Sequence, residues 1–273
     1  MTGIQELFDL TGRSAIVTGG AGFLGQQFCE ALIEAGAKVV VADIDQQITA
    51  EAAEILKKKG GEAIGISLDV TDPSSVNRLM ESTLEKYGGI DILVNSAALD
   101  PKFESNSKTS HVTSFEEFPL QSWKDALDVN LTGMFLTCQA AAKVMKEKGK
   151  GSIINICSTY GITGPDQRLY KSLGEPRLYK PVYYSVSKAG VLGLTKYIAT
   201  YYEGTEIRCN ALTPGGVERD HDPAFMEAYG QRTVLGRMAY PHEMKGAIVF
   251  LASEASSYMT GSNLVVDGGW TAW

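Results

Sequence analysis

The octapeptide TGGAGFLG, residues 18–25, lies between a short apolar run, Ser14–Thr18, and an amphipathic stretch, Gly22–Ala35. A glycine-rich turn between a strand and a helix is typical of the first βαβ unit of an open α/β sheet. Such a turn lets the backbone approach a pyrophosphate and presents helix N–H groups to it. We expect Gly19 and Gly22 to allow that approach and Gly25 to let the helix pack on the strand.

Strands and helices alternate along the remaining chain, which predicts a parallel sheet covered on both faces. The predicted strands are Ser14–Thr18, Lys38–Asp43, Ala63–Asp69, Ile90–Asn95, Ser152–Ser158, Glu206–Leu212 and Asn263–Val266. The predicted helices are Gly22–Ala35, Gln46–Lys59, Pro73–Tyr87, Gln121–Glu147, Tyr183–Tyr202 and Pro241–Ser253. We therefore predict an α/β fold with a Rossmann-type doubly wound parallel sheet of about seven strands, and a single domain over residues 1–273.

Composition excludes several classes of protein. The 273 residues carry a formal net charge of −7 and no basic stripe, so we expect no nucleic-acid partner. No signal peptide and no apolar run of membrane-spanning length is present, so we expect a soluble, cytoplasmic protein without a membrane partner. The cysteines form no CxxC pair and the histidines have no ligand spacing, so we expect reduced, buried thiols and no metal site.

Two polar segments, residues 99–118 and 161–182, interrupt the alternation and follow predicted strands. Long loops in a compact domain are usually functional or disordered. Because open α/β sheets bind ligands at the carboxyl ends of their strands, we expect both segments to frame a small-molecule substrate pocket.

Asp43 ends the second predicted strand. A carboxylate at this position can accept hydrogen bonds from both ribose hydroxyls of a dinucleotide and would repel a 2′-phosphate. The next three residues include no arginine or lysine, so we predict NAD rather than NADP as the cofactor. The alternative is an aspartate that only stabilises the turn after a strand.

Tyr184 and Lys188 are four residues apart in a predicted helix, which puts both side chains on one face. A lysine beside a phenol favours the phenolate and lowers the phenol pKa, which suits an acid/base catalyst near neutral pH. The alternative is a solvated helix surface. Ser158 ends an apolar strand, and small residues follow Asn95 and leave room for a cofactor.

Together these segments resemble the short-chain dehydrogenase/reductase family, in its single-domain branch, over nearly the whole chain. The matching segments are residues 18–25, Asp43, Asp69-Val70, Asn95–Ala98, Asn130, Ser158, Tyr184 with Lys188, Pro214-Gly215 and residues 267–269. The resemblance implies dinucleotide contacts from Gly19, Gly22, Phe23, Leu24, Asp43, Asp69, Val70, Asn95, Ala97, Tyr184, Lys188, Pro214, Gly215 and Val217.

The resemblance also implies four catalytic roles. Tyr184 is the expected general acid/base, and Lys188 lowers its pKa and holds the nicotinamide ribose. Ser158 hydrogen-bonds the substrate oxygen. Asn130 holds the water that links Lys188 to a proton relay, although it could instead be a helix-interior asparagine bonded to the backbone. Family members of this type commonly form homodimers or homotetramers, and Trp270 and Trp273 near the C-terminus suit either a partner or their own subunit.

Three features depart from the family pattern. The glycine spacing resembles the extended branch, which includes sugar-nucleotide epimerases and dehydratases, because Phe23 occupies the usual middle-glycine position. Arg219 stands where a threonine often binds the nicotinamide carboxamide, although the Val217 backbone could contribute. The separation of Ser158 from Tyr184 is about twice the usual one, so the insert between them should shape the pocket.

The insert 161–182 is net positive within an acidic chain, which favours an anionic substrate unless these charges are merely solvated. Its charged residues are Arg168, Lys171, Arg177 and Lys180 against Asp166 and Glu175. Three tyrosines in or beside this insert could stack on a sugar or hydrogen-bond it: Tyr170, Tyr179 and Tyr183. The inserts also resemble oxidoreductases of flagellin modification and surface-glycan synthesis, which are thought to act on sialic-acid-like sugars.

These observations predict an NAD(H)-dependent oxidoreductase that interconverts a secondary alcohol and a ketone on a polar or acidic carbohydrate. Three alternatives stay open: a 3-oxoacyl-carrier-protein reductase, an NAD-retaining sugar epimerase or dehydratase, and a non-enzymatic dinucleotide-binding regulator. Asp43 argues against the first, which normally uses NADPH, and the intact Ser158, Tyr184 and Lys188 set argues against the last.

Overall fold

A computed structural model describes residues 3–100, 114–173 and 178–273. Seven parallel strands form one sheet, in the order β3-β2-β1-β4-β5-β6-β7. The strands are β1 Ser14–Thr18, β2 Lys38–Asp43, β3 Ala63–Ser67, β4 Ile92–Asn95, β5 Lys150–Ile156, β6 Glu206–Pro214 and β7 Asn263–Val266. The order reverses between β1 and β4, so the predicted doubly wound α/β sheet is confirmed.

Helices cover both faces of the sheet. They are α1 Ile4–Phe8, α2 Phe23–Glu34, α3 Gln46–Lys58, α4 Pro73–Tyr87, α5 Leu120–Leu127, α6 Gly133–Lys148, α7 Val182–Tyr201, α8 Pro223–Gly230 and α9 Lys245–Ala252. One core layer packs α2, α3 and α9 on the sheet, and another packs α4, α6 and α7 on the opposite face. Both faces of the central strands are therefore buried, as their nearly continuous apolar sequences require.

Local sequence explains several helix boundaries. The Asp45 carboxylate accepts hydrogen bonds from the first N–H groups of α3, and Asp72 does the same for α4. Pro73 occupies the first turn of α4, where its missing N–H costs nothing. Gly88, with φ 74°, ends that helix in the left-handed conformation that glycine adopts without strain.

Several predicted boundaries were wrong. β3 ends at Ser67, so Asp69 and Val70 lie beyond the strand, and β5 ends at Ile156, two residues before Ser158. The helix predicted over 121–147 is two helices, α5 and α6, joined by one π-helical turn at Asp128–Thr132. The short helices α1 and α8 were missed.

An aromatic cluster holds the insert 161–182 against α8 and the C-terminal segment. Gln167–Leu173 forms a 3-10 helix, and its buried side chains pack beside residues of α8 and the chain end. The buried members of this cluster are Tyr160, Leu169, Tyr170, Phe225, Tyr229, Met238 and Trp270. Trp270 stacks on Tyr229 with ring centroids 4.3 Å apart, whereas Trp273 is 79 % exposed. Trp270 therefore packs on its own subunit.

The insert predicted over 99–118 lies mostly outside the described residues. Within the described part of the chain, no helix combines the length and the apolar character needed to cross a membrane.

Candidate active site

The glycine turn between β1 and α2 has the geometry expected of a dinucleotide cradle. Gly19 has φ +64°, and a Cβ there would lie 2.8 Å from the Ala97 backbone. Gly25 packs directly on the Gly19 carbonyl, where any side chain would collide. Gly22 is exposed and begins α2, whose first N–H groups have no partner within the helix. Gly19 and Gly25 thus allow the tight packing of the turn, while Gly22 leaves the helix N-terminus open.

Asp43 lies beside this turn. One carboxylate oxygen accepts a hydrogen bond from the Ala21 N–H at 3.2 Å, and the other accepts one from the Ile44 N–H at 2.8 Å. The side chain is half-buried at the end of β2. The turn, the N-terminus of α2 and a carboxylate on the next strand therefore meet in one place, and this arrangement fits the pyrophosphate and ribose of a nicotinamide dinucleotide.

The Asn95 side chain has a structural role, and its cofactor contact stays a prediction. Its side chain is 2 % exposed and donates to the Asn155 Oδ1 at 2.9 Å and to the Cys138 sulfur at 3.1 Å, while its Oδ1 accepts from Thr137 at 2.7 Å. These bonds join β4 to β5 and α6. The neighbouring Ala97 N–H donates to the Thr18 hydroxyl at 3.2 Å, which fixes the small segment after β4 beside the glycine turn.

The other predicted cofactor contacts lie at neighbouring strand ends. Val70 is buried against α6, where a Cβ on Gly133 would meet its side chain. The Asp69 carboxylate accepts hydrogen bonds from the backbone and hydroxyl of Thr71 at 2.9 and 2.6 Å. Pro214 ends β6, and Gly215 donates its N–H to the Val266 carbonyl at 2.9 Å.

Arg219 contacts the start of α2. Its guanidinium lies 5.2 Å from the centroid of the Phe23 ring, which follows the glycine turn. Val217, two residues earlier, forms an isolated bridge with Ala239. The segment after β6 therefore reaches across to the helix that begins the cradle, and the residue that replaces the usual threonine provides a charged contact there.

Tyr184 and Ser158 approach each other at the carboxyl end of the sheet. Tyr184 lies in the first turn of α7, which Pro181 precedes, and Ser158 follows β5 in an extended conformation. The Ser158 hydroxyl lies close enough to the Tyr184 phenol to favour its ionised form and so to lower its pKa. The Ser158 hydroxyl oxygen also accepts from the Tyr160 N–H at 3.2 Å. Two hydroxyls 26 residues apart in sequence thus form one polar pair.

Lys188 is 3 % exposed, and its Nζ donates to the Ile156 carbonyl at 2.8 Å. The Nζ lies 5.8 Å from the Tyr184 ring centroid. Burial holds the pKa of Tyr184 well above its usual range and lowers the pKa of Lys188. The Tyr–Lys spacing predicted a lowered tyrosine pKa, but in the chain without cofactor or substrate the Tyr184 pKa is raised, first by desolvation and then by the charge of Asp100.

Asn130 lies at the centre of the π-helical turn and is fully buried. Its Oδ1 accepts from the Leu99 N–H at 2.6 Å, and its Nδ2 donates to the Leu99 carbonyl at 3.1 Å and to the Ser187 hydroxyl at 3.3 Å. Ser187 in turn donates to the Tyr184 carbonyl at 3.1 Å. The Asn130 amide thus binds the loop after β4 and the start of α7. These direct bonds to protein groups match the alternative in which Asn130 is a helix-interior asparagine bonded to the backbone.

Lys180 is a site residue that the sequence did not single out as one. Its Nζ lies 4.0 Å from the Tyr184 ring centroid and 2.5 Å from the Asp100 Oδ1. The pair joins the ends of the two inserts above the tyrosine. The only sequence signal was the positive charge of the second insert, which identified no single residue.

The other described charges of that insert are paired elsewhere. Arg168 binds both carboxylate oxygens of Asp166 at 2.9 Å, and Arg232 also contacts Asp166. Tyr170 is buried in the aromatic cluster, and Tyr183 packs on Phe118 at 5.7 Å. Neither ring is available to stack on a sugar, so that expectation was wrong for both. The side chains of Lys171, Glu175 and Arg177 lie outside the described part of the chain.

The arrangement suits proton transfer coupled to hydride transfer. Two hydroxyls approach each other at the carboxyl end of the parallel sheet, the end at which the glycine turn also lies, and a buried lysine lies one helical turn away. Such donors stabilise negative charge on a substrate oxygen. No cluster of three or more metal-ligating side chains occurs among the residues that the structure describes.

Curated relatives match the chain from end to end. A family model described as "Enoyl-(Acyl carrier protein) reductase" matches residues 20–271. D-threitol dehydrogenase of Mycolicibacterium smegmatis is 35 % identical over 281 residues, which cover 99 % of this chain and 99 % of the relative. The 3-alpha-(or 20-beta)-hydroxysteroid dehydrogenase of Mycobacterium tuberculosis is 38 % identical over 264 residues, which cover 96 % of this chain and 91 % of the relative.

Solved structures agree. A short-chain type dehydrogenase/reductase from Mycobacterium marinum superposes with a TM-score of 0.85 at 34 % identity, covering 99 % of this chain and 100 % of that one. A gluconate 5-dehydrogenase from Burkholderia cenocepacia, in complex with NADP and tartrate, superposes with a TM-score of 0.85 at 31 % identity and the same coverage. The chain therefore belongs to the short-chain dehydrogenase/reductase family, in its single-domain branch, and is an oxidoreductase of secondary alcohols that binds a nicotinamide dinucleotide.

Proposed function

We propose that this enzyme uses NAD(H) to interconvert a secondary alcohol and a ketone on a polar, acidic carbohydrate, of the sugar-acid or sialic-acid-like kind. The observation that carries the reaction is the proximity of the Ser158 hydroxyl to the Tyr184 phenol at the carboxyl end of the sheet, with Lys188 one helical turn further along α7. The substrate class and the choice of NAD rest on Lys180 and Asp43, respectively.

Tyr184 and Ser158 bind the reacting oxygen. When bound, the nicotinamide accepts or supplies the hydride. In the oxidation direction Tyr184 takes the hydroxyl proton, and the Ser158 hydroxyl donates a hydrogen bond to the oxygen as negative charge develops on it. Lys188, whose ammonium group donates to the Ile156 carbonyl, would hold the nicotinamide ribose. Asn130 acts through Leu99 and Ser187, which keeps the loop after β4 and the start of α7 in register.

Asp43 supports NAD as the cofactor. Its carboxylate is fixed by the Ala21 and Ile44 N–H groups at the end of β2, where a ribose would lie. A 2′-phosphate at this position would face negative charge. Because the gluconate 5-dehydrogenase of this fold binds NADP, the fold itself does not fix the cofactor, and the preference proposed here rests on Asp43, the last residue of β2.

A polar substrate is supported by the charge above the tyrosine and by two of the relatives. Lys180 puts an ammonium group 4.0 Å from the Tyr184 ring, where an apolar steroid would gain nothing from it. One relative is a threitol dehydrogenase and one structural neighbour is a gluconate dehydrogenase, and both favour a polar substrate. The hydroxysteroid dehydrogenase favours an apolar one. Lys180 and Arg168 are both paired with carboxylates, of Asp100 and Asp166, so the ion pair beside Tyr184 supports a polar substrate and the acidic character rests on the charge of the insert as a whole.

A substrate panel tests the proposal. NAD and NADP reduction would be followed by nicotinamide absorbance with D-threitol, gluconate, a sialic acid, a hydroxysteroid and a 3-hydroxyacyl thioester. We expect turnover with NAD and a sugar acid. Turnover confined to the steroid or the thioester would leave the Ser158–Tyr184 assignment intact and overturn the carbohydrate assignment.

The cofactor choice has a matched pair of variants. Asp43→Asn removes the charge and keeps the shape, so the ratio of NADP to NAD efficiency should rise at least about tenfold. Asp45→Asn removes a charge two residues away and keeps an N-cap residue for α3, so this ratio should hardly change. A wild-type enzyme that already binds NADPH more tightly than NADH would contradict the role of Asp43.

The proposed location is the cytoplasm, where reducing conditions suit the four cysteines, which are all buried and free.

A further inference from the structure

Two lysines approach Tyr184, and the nearer one is not the family's lysine. Lys180 Nζ lies 4.0 Å from the ring centroid, whereas Lys188 Nζ lies 5.8 Å from it and donates to the Ile156 carbonyl. Lys180 is 9 % exposed, so little water screens its charge from the ring. A cation at this distance over an aromatic face is attracted to it.

The second insert holds Lys180 in place through its backbone. The Lys180 N–H donates to the Gln167 Oε1 at 2.9 Å, and the Gln167 Nε2 donates to the Lys180 carbonyl at 3.2 Å. Gln167 begins the 3-10 helix whose Leu169 and Tyr170 are buried in the aromatic cluster. The position of the ammonium group is therefore tied to the packed part of the insert.

Asp100 opposes Lys180 from the other side. Its Oδ1 lies 2.5 Å from the Lys180 Nζ, and the preceding residue, Leu99, is bound through both backbone groups to Asn130. The carboxylate also raises the pKa of Tyr184 through its charge. A cation held by one loop and an anion held by the other therefore shift the pKa of the same phenol in opposite directions.

We propose that Lys180 is a positioning residue for Tyr184, which holds the ring and favours its phenolate, and that Asp100 limits this effect. The inference rests on the proposed function, which assigns the proton transfer to Tyr184. A cation over the ring stabilises the phenolate more than the phenol, and a nearby anion does the reverse. Among the residues that the structure describes, the charged and titratable groups that act on Tyr184 are Lys188, Lys180, Asp100, Cys157 and Tyr160, together with the neutral hydroxyl of Ser158.

Four variants separate this role from a purely structural one. Lys180→Met keeps the length of the side chain without its charge, Lys180→Arg keeps the charge, and Asp100→Asn removes the opposing anion. Arg168→Gln is the control, because Arg168 is a cation of the same insert that is paired with Asp166. The readout is the apparent pKa in the pH profile of kcat/KM for alcohol oxidation with NAD.

We expect Lys180→Met to move this apparent pKa up by about one pH unit and Asp100→Asn to move it down by a similar amount. Lys180→Arg and Arg168→Gln should stay near the wild type. Unshifted profiles in both Lys180→Met and Asp100→Asn would overturn the proposal. So would a loss of activity at every pH that Lys180→Arg fails to rescue, because that pattern belongs to a loop that has only lost its structure.

A titration without substrate keeps this test separate from the proposed function. The ultraviolet difference spectrum of phenolate formation would be recorded for the NAD complex, and the titration of Tyr184→Phe would be subtracted to isolate Tyr184. The same opposite shifts are expected. An enzyme that turns over no sugar acid but shows these shifts would refute the substrate class only, whereas identical titrations in Lys180→Met, Asp100→Asn and the wild type would refute the role of Lys180.

Discussion

The surroundings of Tyr184 disfavour its ionised form, because burial raises its pKa well above the usual range. The reaction nevertheless requires this residue to give up and accept a proton. Tyr184→Phe should lower kcat/KM for alcohol oxidation by about 10²- to 10⁴-fold, the usual contribution of a general acid/base. NADH affinity, measured by fluorescence titration, should change less than about twofold, because the phenol oxygen is the only group removed.

The neighbouring tyrosine provides the control for this variant. Tyr183 packs its ring on Phe118, so Tyr183→Phe should keep most of the activity. The pH dependence has a definite sign: since the phenolate accepts the proton, oxidation should rise with pH up to the Tyr184 pKa, and ketone reduction should fall over the same range. Turnover in Tyr184→Phe equal to the wild type would remove the catalytic assignment.

The sequence shows which chemical groups lie near the site more reliably than it shows where each side chain points. Asp43 and Ser158 end predicted strands and Tyr184 begins a predicted helix, so their positions at the carboxyl edge of the sheet could be predicted. Asn95 also ends a strand, but its side chain turns inward to Asn155, which the pattern of a four-residue strand does not reveal. The Lys180–Asp100 pair joins residues 80 positions apart in irregular segments, where no periodicity applies.

At the scale of elements, the π-helical turn between α5 and α6 connects the helical layer to the active site through Asn130. It turns Asn130 towards the loop after β4, where the amide binds both backbone groups of Leu99. Asn130→Ala would remove the buried amide and its three hydrogen bonds, to both backbone groups of Leu99 and to Ser187, so we expect a loss of about 2 kcal/mol in the free energy of unfolding in urea. Amide hydrogen exchange at Leu99 should accelerate as well.

Thr132→Ala is the matched variant, because Thr132 belongs to the same turn and is exposed. It should change stability by less than about 0.5 kcal/mol. Equal exchange at Leu99 in Asn130→Ala and the wild type would show that the amide does not hold the loop.

Long periodic elements could be predicted and short ones could not. The strands β1 and β2 and the capped helices α3 and α4 combine apolar periodicity with clear end signals, and they were found with nearly correct bounds. Helix α1 has five residues and no buried side chain, so its sequence carries no amphipathic pattern. The turn within 121–147 was missed because a single π-helical turn leaves the helical pattern on both sides intact.

On the scale of the whole molecule, α7 exposes aromatic side chains opposite its catalytic end. Tyr197 and Tyr201 are 64 % and 62 % exposed and stack with ring centroids 6.0 Å apart. Trp273 at the chain end is also exposed, with its indole N–H donating to the Arg232 carbonyl. Exposed apolar area of this kind favours association, so we predict a homodimer or homotetramer.

Light scattering should therefore give two or four times the chain mass of 29.4 kDa. The double variant Tyr197→Glu with Tyr201→Glu puts charges into the stacked pair and should shift the mass to that of one chain, because burying an unpaired carboxylate is costly. Tyr258→Glu is the control, since Tyr258 is fully exposed outside this pair, and it should leave the assembly unchanged. A wild-type mass of one chain would contradict the prediction, and dissociation by Tyr258→Glu alone would move the interface away from α7.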